Sequence, residues 1–135
     1  MMPAWSIRAA SLGDLDDLVE IENTQFPEPW SRTLLKEELE LGHLRRYSVA
    51  VENKKVIGVL GLMLIDEDAH INTIASAQGH EGRGVARSLL DEALPVISAQ
   101  GFTRITLEVA VGNARARDLY TRYGFAPLGI RKQYY

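Results

Sequence analysis

A short glycine-rich segment at the start of an amphipathic helix is the part of this sequence best suited to bind an anion. Gly82, Arg83 and Gly84 lie between a predicted strand and a predicted helix. Glycine lets the backbone approach a ligand closely, and the N–H groups of a helix N-terminus favour phosphate. No Lys-Ser or Lys-Thr pair follows, and Arg87 stands where a dinucleotide fingerprint needs its third glycine. The segment predicts a phosphate or pyrophosphate site, with an ordinary strand-to-helix turn as the alternative.

The three histidines, His43, His70 and His80, do not predict a metal site. They come from separate segments without a convincing ligand spacing, and the chain contains no cysteine. His70 stands at the start of a predicted strand, where a structural role is expected and a role as a catalytic base is the alternative.

The elements that position these residues predict a mixed α/β sheet. Hydrophobic periodicity and turn residues predict the order β-α-α-β-β-β-α-β-α-β. Strands are predicted at 6–9, 47–51, 56–65, 70–75, 103–109 and 125–131. Helices are predicted at 14–26, from Ser31 to about 42, from Val85 through Ile97, and at 113–123.

Composition limits the class of protein. The 135 residues are 46% hydrophobic and predict a single domain over 1–135. Fifteen basic and eighteen acidic residues give a net charge of −3, which argues against direct nucleic-acid binding. No apolar run approaches the ~20 residues of a membrane helix, and the first residues lack the pattern of a signal peptide. We therefore expect a cytoplasmic protein with no membrane partner.

Several motifs, in sequential order, resemble those of the GCN5-related N-acetyltransferase (GNAT) family. Residues 81–86, Glu-Gly-Arg-Gly-Val-Ala, are similar to the family pattern Gln/Arg-x-x-Gly-x-Gly/Ala. Thr73-Ile74-Ala75 resembles the strand that binds the pantetheine arm, and a second family motif resembles 107–109, 113–116, 119–120 and 123–125. The segments 26–31 and 130–135 are similar to those of one subgroup, the ribosomal-protein alanine N-acetyltransferases.

The resemblance implies a mixed, mostly antiparallel sheet flanked by helices on both faces, which binds acetyl-CoA without a metal. The implied cofactor-binding residues are Ile74, Ala75, Glu81, Gly82, Arg83, Gly84, Val85, Ala86, Arg87 and Asn113. Position 81 departs from the family pattern, because it holds a glutamate where the family has glutamine or arginine. Its negative charge would be directed at the pyrophosphate. Ser76 and Gln78 also replace the usual apolar residue and proline.

The resemblance further implies two catalytic residues, the base Glu108 and the acid Tyr120. Strand alternation places Glu108 on the same face as Thr106, and Tyr120 follows Asn113 by two helical turns. From the residues alone, Glu108 is an exposed strand carboxylate and Tyr120 a core aromatic.

The expected acceptor is the N-terminal α-amine of a protein, alanine-first and ribosomal. An α-amine has a pKa near 8, against about 10.4 for lysine, so one glutamate deprotonates it more readily. In enzymes of this subgroup Glu28, Trp30, Tyr134 and Tyr135 would flank the acceptor. A small amine or polyamine is an alternative acceptor, and a non-catalytic acyl-CoA-binding module is an alternative function.

The C-terminal end of the sequence predicts an incomplete sheet. Family members usually continue into a further strand, which inserts between the strands predicted at 103–109 and 125–131. Without it, the 103–109 strand would expose an apolar edge beside Glu108. We expect a chain shortened at the C-terminus, a second copy covering this edge, or a loosened C-terminal region.

Overall fold

The structure, a computed structural model, describes residues 4–107. Besides two short 3-10 helices, three α-helices and five strands form this part of the chain. In order they are β1 (Ser6–Ala9), α1 (Leu15–Gln25), α2 (Arg32–Glu40), β2 (Arg45–Glu52), β3 (Lys55–Ile65), β4 (Asp68–Ser76), α3 (Val85–Ala99) and β5 (Arg104–Leu107). Every element predicted between residues 6 and 107 is confirmed in type. The helix predicted at 113–123 and the strand at 125–131 lie outside the described residues.

The five strands form one sheet in sequential order, β1-β2-β3-β4-β5. The first four pair antiparallel, and β4 pairs parallel with β5. The connection between β2 and β3 is tight, with positive φ at Asn53 and Lys54, as hairpin turns of this length require. The expected mixed, mostly antiparallel sheet is confirmed.

Helices cover both faces of this sheet. A Cβ added to Gly58 of β3 would meet Val85 and Leu89 of α3, so α3 packs closely on one face. Gly61 lies three residues further along β3 and therefore faces the opposite way. Its cross-strand neighbour Thr73 is bonded to α1 on that second face. The expected helices on both faces of the sheet are thus confirmed.

Each helix has a local reason for its limits. Ser31 caps α2 by accepting the N–H of Leu34, 3.1 Å away, as the sequence predicted. The helix α1 ends before Pro27, since a proline disfavours helical backbone at the residue before it. Along α3 the apolar side chains recur at helical spacing and are buried: Val85, Leu89, Leu90, Ala93 and Ile97. None of the helices between residues 4 and 107 combines the length and apolar character needed to cross a membrane.

Candidate active site

The glycine loop, residues 79–84, connects the end of β4 to the start of α3. Gly82 and Gly84 have φ of +80° and +89°, a backbone conformation that glycine adopts without strain. A Cβ at either position would have no atom of the described chain within 4 Å. Within the described residues, these glycines are therefore explained by backbone conformation and not by close packing.

The first turn of α3 supplies the donors of this loop. The first helical hydrogen bond runs from the Ser88 N–H to the Gly84 carbonyl, at 2.9 Å. The N–H groups of Val85, Ala86 and Arg87 precede it and belong to the turn whose donors point out of a helix N-terminus. Together with the positive end of the helix dipole, they fit a pyrophosphate.

Arg83 lies in the glycine loop, but its side chain is directed toward the N-terminal part of the sheet. Its guanidinium donates to both carboxylate oxygens of Glu52, at 3.0 and 2.6 Å, and lies 5.3 Å from the ring centre of Trp5. This contact holds the pKa of Glu52 below its ordinary value. Trp5 in turn donates its indole N–H to Ser88 of α3, at 2.9 Å. Arg83 therefore braces the loop against β2 and the N-terminal segment.

Glu81 also bonds to residues near the loop. One carboxylate oxygen accepts the Gly79 N–H at 2.7 Å, and the other accepts the Gln25 side-chain amide at 3.0 Å. The acidic side chain that departs from the family pattern thus joins its own loop to the last residue of α1.

The strand β4 leads directly into the loop. The parallel pairing with β5 that the structure describes runs from Asp68–Arg104 to Ile71–Leu107 and covers the first half of β4. Ile74 and Ala75, the predicted pantetheine-binding residues, lie beyond it and pair on their other side with β3. They therefore stand between the end of this parallel pairing and the glycine loop.

A β-bulge changes the direction of side chains just before these residues. Gly61 of β3 pairs with Thr73 and Leu62 with Ile71, so Asn72 is the extra residue. The Asn72 amide donates to Glu38 of α2, and the Thr73 hydroxyl donates to Glu22 of α1. Both side chains therefore face the layer formed by α1 and α2.

His70 precedes the bulge and is buried, with 2% of its surface exposed. Its Nδ1 lies 2.8 Å from the Thr106 hydroxyl, its neighbour across the parallel pair. Thr106 therefore faces the same side of the sheet as His70, and strand alternation predicts that Glu108 faces this side too. Among residues 4–107, no group of three or more acidic or histidine side chains is arranged to hold a metal ion.

Glu38 is the centre of a buried polar network beneath β2 and β4. One carboxylate oxygen accepts the Tyr47 hydroxyl at 2.9 Å and the Asn72 amide at 2.8 Å. The Arg45 guanidinium donates to both oxygens, at 2.9 and 3.0 Å. Burial, followed by the negative charge of Glu38, raises the pKa of the Tyr47 hydroxyl, which stays protonated at neutral pH.

Glu22 is a second buried carboxylate, with 1% of its surface exposed. One oxygen accepts the Trp30 backbone N–H at 3.0 Å, and the other accepts the Thr73 hydroxyl at 2.7 Å. Burial raises the pKa of Glu22, although both hydrogen bonds oppose that shift.

Glu22 and Glu38 were not among the predicted site residues. The signal was nevertheless available, because each acid occupies an apolar position of its helix. Glu22 follows Leu18 by four residues, and Glu38 follows Leu35 by three. A carboxylate on the buried stripe of a helix requires polar partners from another element.

The loop between α1 and α2, residues 26–31, carries two of the predicted acceptor-binding residues. Trp30 is partly buried against the core, whereas Glu28 is exposed. The other predicted site residues, Glu108, Asn113, Tyr120, Tyr134 and Tyr135, lie outside the described residues. The same is true of the edge predicted beside Glu108.

Comparison with known proteins identifies the class to which this arrangement belongs. The model of the Acetyltransferase (GNAT) family matches residues 15–125. The ribosomal protein bS18-alanine N-acetyltransferase of Haemophilus influenzae is 31% identical over 122 residues, which cover 90% of this chain and 82% of the relative.

Two solved structures share the architecture. The ribosomal-protein-S18-alanine N-acetyltransferase of Escherichia coli superposes with a TM-score of 0.87 at 25% identity, covering 97% of this chain and 83% of that one. The PaiA N-acetyltransferase of Thermoplasma acidophilum, in complex with coenzyme A, gives a TM-score of 0.81 at 20% identity. The coverage is 90% of this chain and 89% of that structure, and this second likeness concerns the fold alone.

Proposed function

We propose that this chain, which belongs to the GNAT family of acetyltransferases, acetylates the N-terminal α-amine of a protein. The proposed acceptor is an alanine-first ribosomal protein. The observation that carries the proposal is the glycine loop, whose positive-φ residues Gly82 and Gly84 lie between β4 and the first turn of α3. The names of the relative from Haemophilus influenzae and of the Escherichia coli structure support the choice of acceptor.

The donor substrate in this proposal is acetyl-CoA, which supplies an acetyl group as a thioester. The N–H groups of Gly82 through Arg87 would bind its pyrophosphate. Backbone groups at Ile74 and Ala75 would hold the pantetheine arm and donate to the thioester carbonyl oxygen, where negative charge develops during the reaction. Asn113 would contact the same arm from the helix predicted at 113–123.

The proposed chemistry requires one base and one acid from the residues beyond 107. Glu108 would accept a proton from the acceptor ammonium, directly or through water, which leaves the amine free to attack. Tyr120 would donate its hydroxyl proton toward the departing sulfur. With an ordinary pKa of about 10, the tyrosine is suited to act within the transition state rather than by full ionisation.

The acceptor would lie on the opposite side of β4 from α3, beside the loop of residues 26–31. Glu28 is exposed and its charge would suit a cationic N-terminus, while Trp30, which packs partly against the core, would form one wall of the acceptor site. Tyr134 and Tyr135 would complete this side of the site.

Mass spectrometry of mixtures containing acetyl-CoA tests the proposal. An alanine-first peptide is offered beside an N-blocked lysine peptide and spermidine. We expect a mass increase of one acetyl group on the alanine-first peptide alone. Acetylation of spermidine instead would identify a small-amine acetyltransferase, and thermal stabilisation by CoA without any acetylated product would identify a binding module.

Two variants test the proposed mechanism separately from the acceptor. Glu108→Gln and Tyr120→Phe should each lower kcat about 100-fold, as expected for loss of a general base or acid. Wild-type turnover in both variants would exclude these roles while leaving the activity itself established.

A further inference from the structure

We infer that Glu22 is a positioning residue, which fixes the acceptor loop (residues 26–31) to the strand that holds the donor. The inference deepens the proposed function and rests on it. Its basis is a single buried side chain that bonds to the proposed acceptor loop and to the strand that carries Ile74 and Ala75.

The contacts of Glu22 join two segments that are distant in sequence. Through Oε1 it accepts the Trp30 N–H at 3.0 Å, and Trp30 belongs to the acceptor loop. Through Oε2 it accepts the Thr73 hydroxyl at 2.7 Å, and Thr73 directly precedes Ile74 and Ala75. The two oxygens of one carboxylate are a fixed short distance apart, so these bonds set the separation between loop and strand.

The burial of Glu22 shows how closely this joint is packed. The residue is 1% exposed, and among residues 4–107 it has no ion pair with a basic side chain. Burying a carboxylate without a counter-ion is costly, and an apolar residue at this position would avoid that desolvation. What an apolar residue lacks is the ability to hold Trp30 and Thr73 at once.

The consequence for catalysis is specific to one substrate. Loss of Glu22 would release the loop that carries Trp30 and Glu28, while β4 would remain paired with β3 through Thr73, Ile74 and Ala75. Binding of the acceptor should therefore weaken, and binding of acetyl-CoA should change little.

Conservative and disruptive variants separate this role from simple packing. In Glu22→Gln, the amide oxygen accepts the Trp30 N–H and the amide N–H donates to the Thr73 hydroxyl, whose own proton can rotate away. In Glu22→Met both bonds are lost at similar volume. Thr73→Val removes only the bond to β4, and Ile97→Ala, near the far end of α3, serves as a destabilised control.

Steady-state kinetics with acetyl-CoA and an alanine-first peptide provide the test. We expect Glu22→Met to raise the KM for the peptide about tenfold with the KM for acetyl-CoA within about twofold of wild type. Glu22→Gln should stay within about twofold for both substrates, as should Ile97→Ala. An unchanged peptide KM in Glu22→Met, or equal increases for both substrates, would overturn the inference. If Glu22→Met does not fold, Thr73→Val should show the same selective increase and decides the question.

Amide hydrogen exchange keeps this inference distinguishable from the proposed function. The Trp30 N–H should exchange about ten times faster in Glu22→Met than in Glu22→Gln, whether or not a peptide is acetylated. Equal exchange rates would show that Glu22 does not hold the loop. A wild-type protein that acetylates no peptide would instead refute the proposed acceptor, with the exchange result unaffected.

Discussion

The glycine loop and the buried carboxylates of α1 and α2 use opposite hydrogen-bonding groups. The loop offers backbone donors at the surface, and the charged side chains around it form exposed contacts such as Arg83–Glu52. Glu22 and Glu38 are buried acceptors that gather donors from other elements. We therefore expect binding of acetyl-CoA by the loop to tolerate an acidic residue at position 81, whereas each buried carboxylate depends on the partners placed around it.

This difference predicts where substitutions are costly. Backbone donors remain when a side chain changes, so the loop should be sensitive to conformation and insensitive to charge. A buried carboxylate leaves several unsatisfied donors when it is removed, so the helix layer should be sensitive to single side chains.

Glu38→Leu should have the largest effect on stability. It leaves the Arg45 guanidinium, with 18% of its side chain exposed, without its carboxylate, and it removes the acceptor of the Tyr47 hydroxyl and the Asn72 amide. We expect the free energy of unfolding to fall by about 3 kcal/mol. Thermal denaturation should show this as a decrease in Tm of roughly 10 °C.

The exposed pair Arg32–Asp16 is the matched control for Glu38. Its side chains are 57% and 87% exposed, so Arg32→Leu should change Tm by less than about 2 °C. Similar losses in both variants would mean that burial does not distinguish the two regions.

Gly84→Val should have the next largest effect, on the binding of acetyl-CoA. Gly84 has φ +89°, and a β-branched residue would cost about 1–2 kcal/mol there or force the loop to rearrange. We expect the KM for acetyl-CoA to rise about tenfold, measured by steady-state kinetics. Gly101→Val is a matched control, because Gly101 has φ +98° at the other end of α3 and lies far from the loop. It should lower Tm comparably and leave that KM unchanged.

The same contrast explains what the sequence could reveal. Gly82, Gly84 and the helix beginning at Val85 are adjacent in the chain, so local pattern alone located the loop. Ser31 likewise predicted its own cap, since its partner is only three residues away.

Contacts between distant segments were not predictable in this way. The Thr73 hydroxyl, which donates a hydrogen bond to Glu22, is 51 residues away in sequence. The Asn72 amide, which donates to Glu38, is 34 residues away. The bulge at Asn72 also turns two adjacent side chains toward the same layer, which strict alternation along a strand does not predict. Similarly, the motif gave no sign that Arg83 also bonds to Glu52 and lies over Trp5, because both partners come from distant parts of the sequence.

A smaller effect is the pH dependence of stability, which should differ between buried carboxylates with different surroundings. Burial raises the pKa of Glu22 from its ordinary value of 4.5, so the folded chain holds that proton more tightly than the unfolded chain. The contribution of Glu22 to stability is therefore present below pH 4.5 and is lost as pH rises through its folded pKa. Relative to wild type, Glu22→Gln should therefore become more stable as pH rises from 4.5 to 7.5, which thermal denaturation at each pH would show as an increase in its Tm difference from wild type.

Asp14 provides the opposite case for the same measurement. Its hydrogen bonds to Arg8 lower its pKa from 3.8, so its stabilising contribution is present above pH 3.8 and is lost as pH falls through the lowered pKa. The difference in Tm between Asp14→Asn and wild type should stay constant from pH 4.5 to 7.5. At more acidic pH this difference should shrink toward zero. Parallel profiles for the two variants would show that Arg8 and burial do not act differently on these carboxylates.

Arg83→Gln should have the smallest effect and tests the comparison most directly. Because the guanidinium is bonded to both oxygens of Glu52 and lies over Trp5, its loss should raise the KM for acetyl-CoA less than about threefold. The backbone donors of the glycine loop remain in place in this variant, in contrast to Gly84→Val. An increase as large as that of Gly84→Val would mean that Arg83 leaves Glu52 to bind the pyrophosphate. Donor recognition would then depend on a side chain, as the helix layer does, and the two regions would no longer differ in kind.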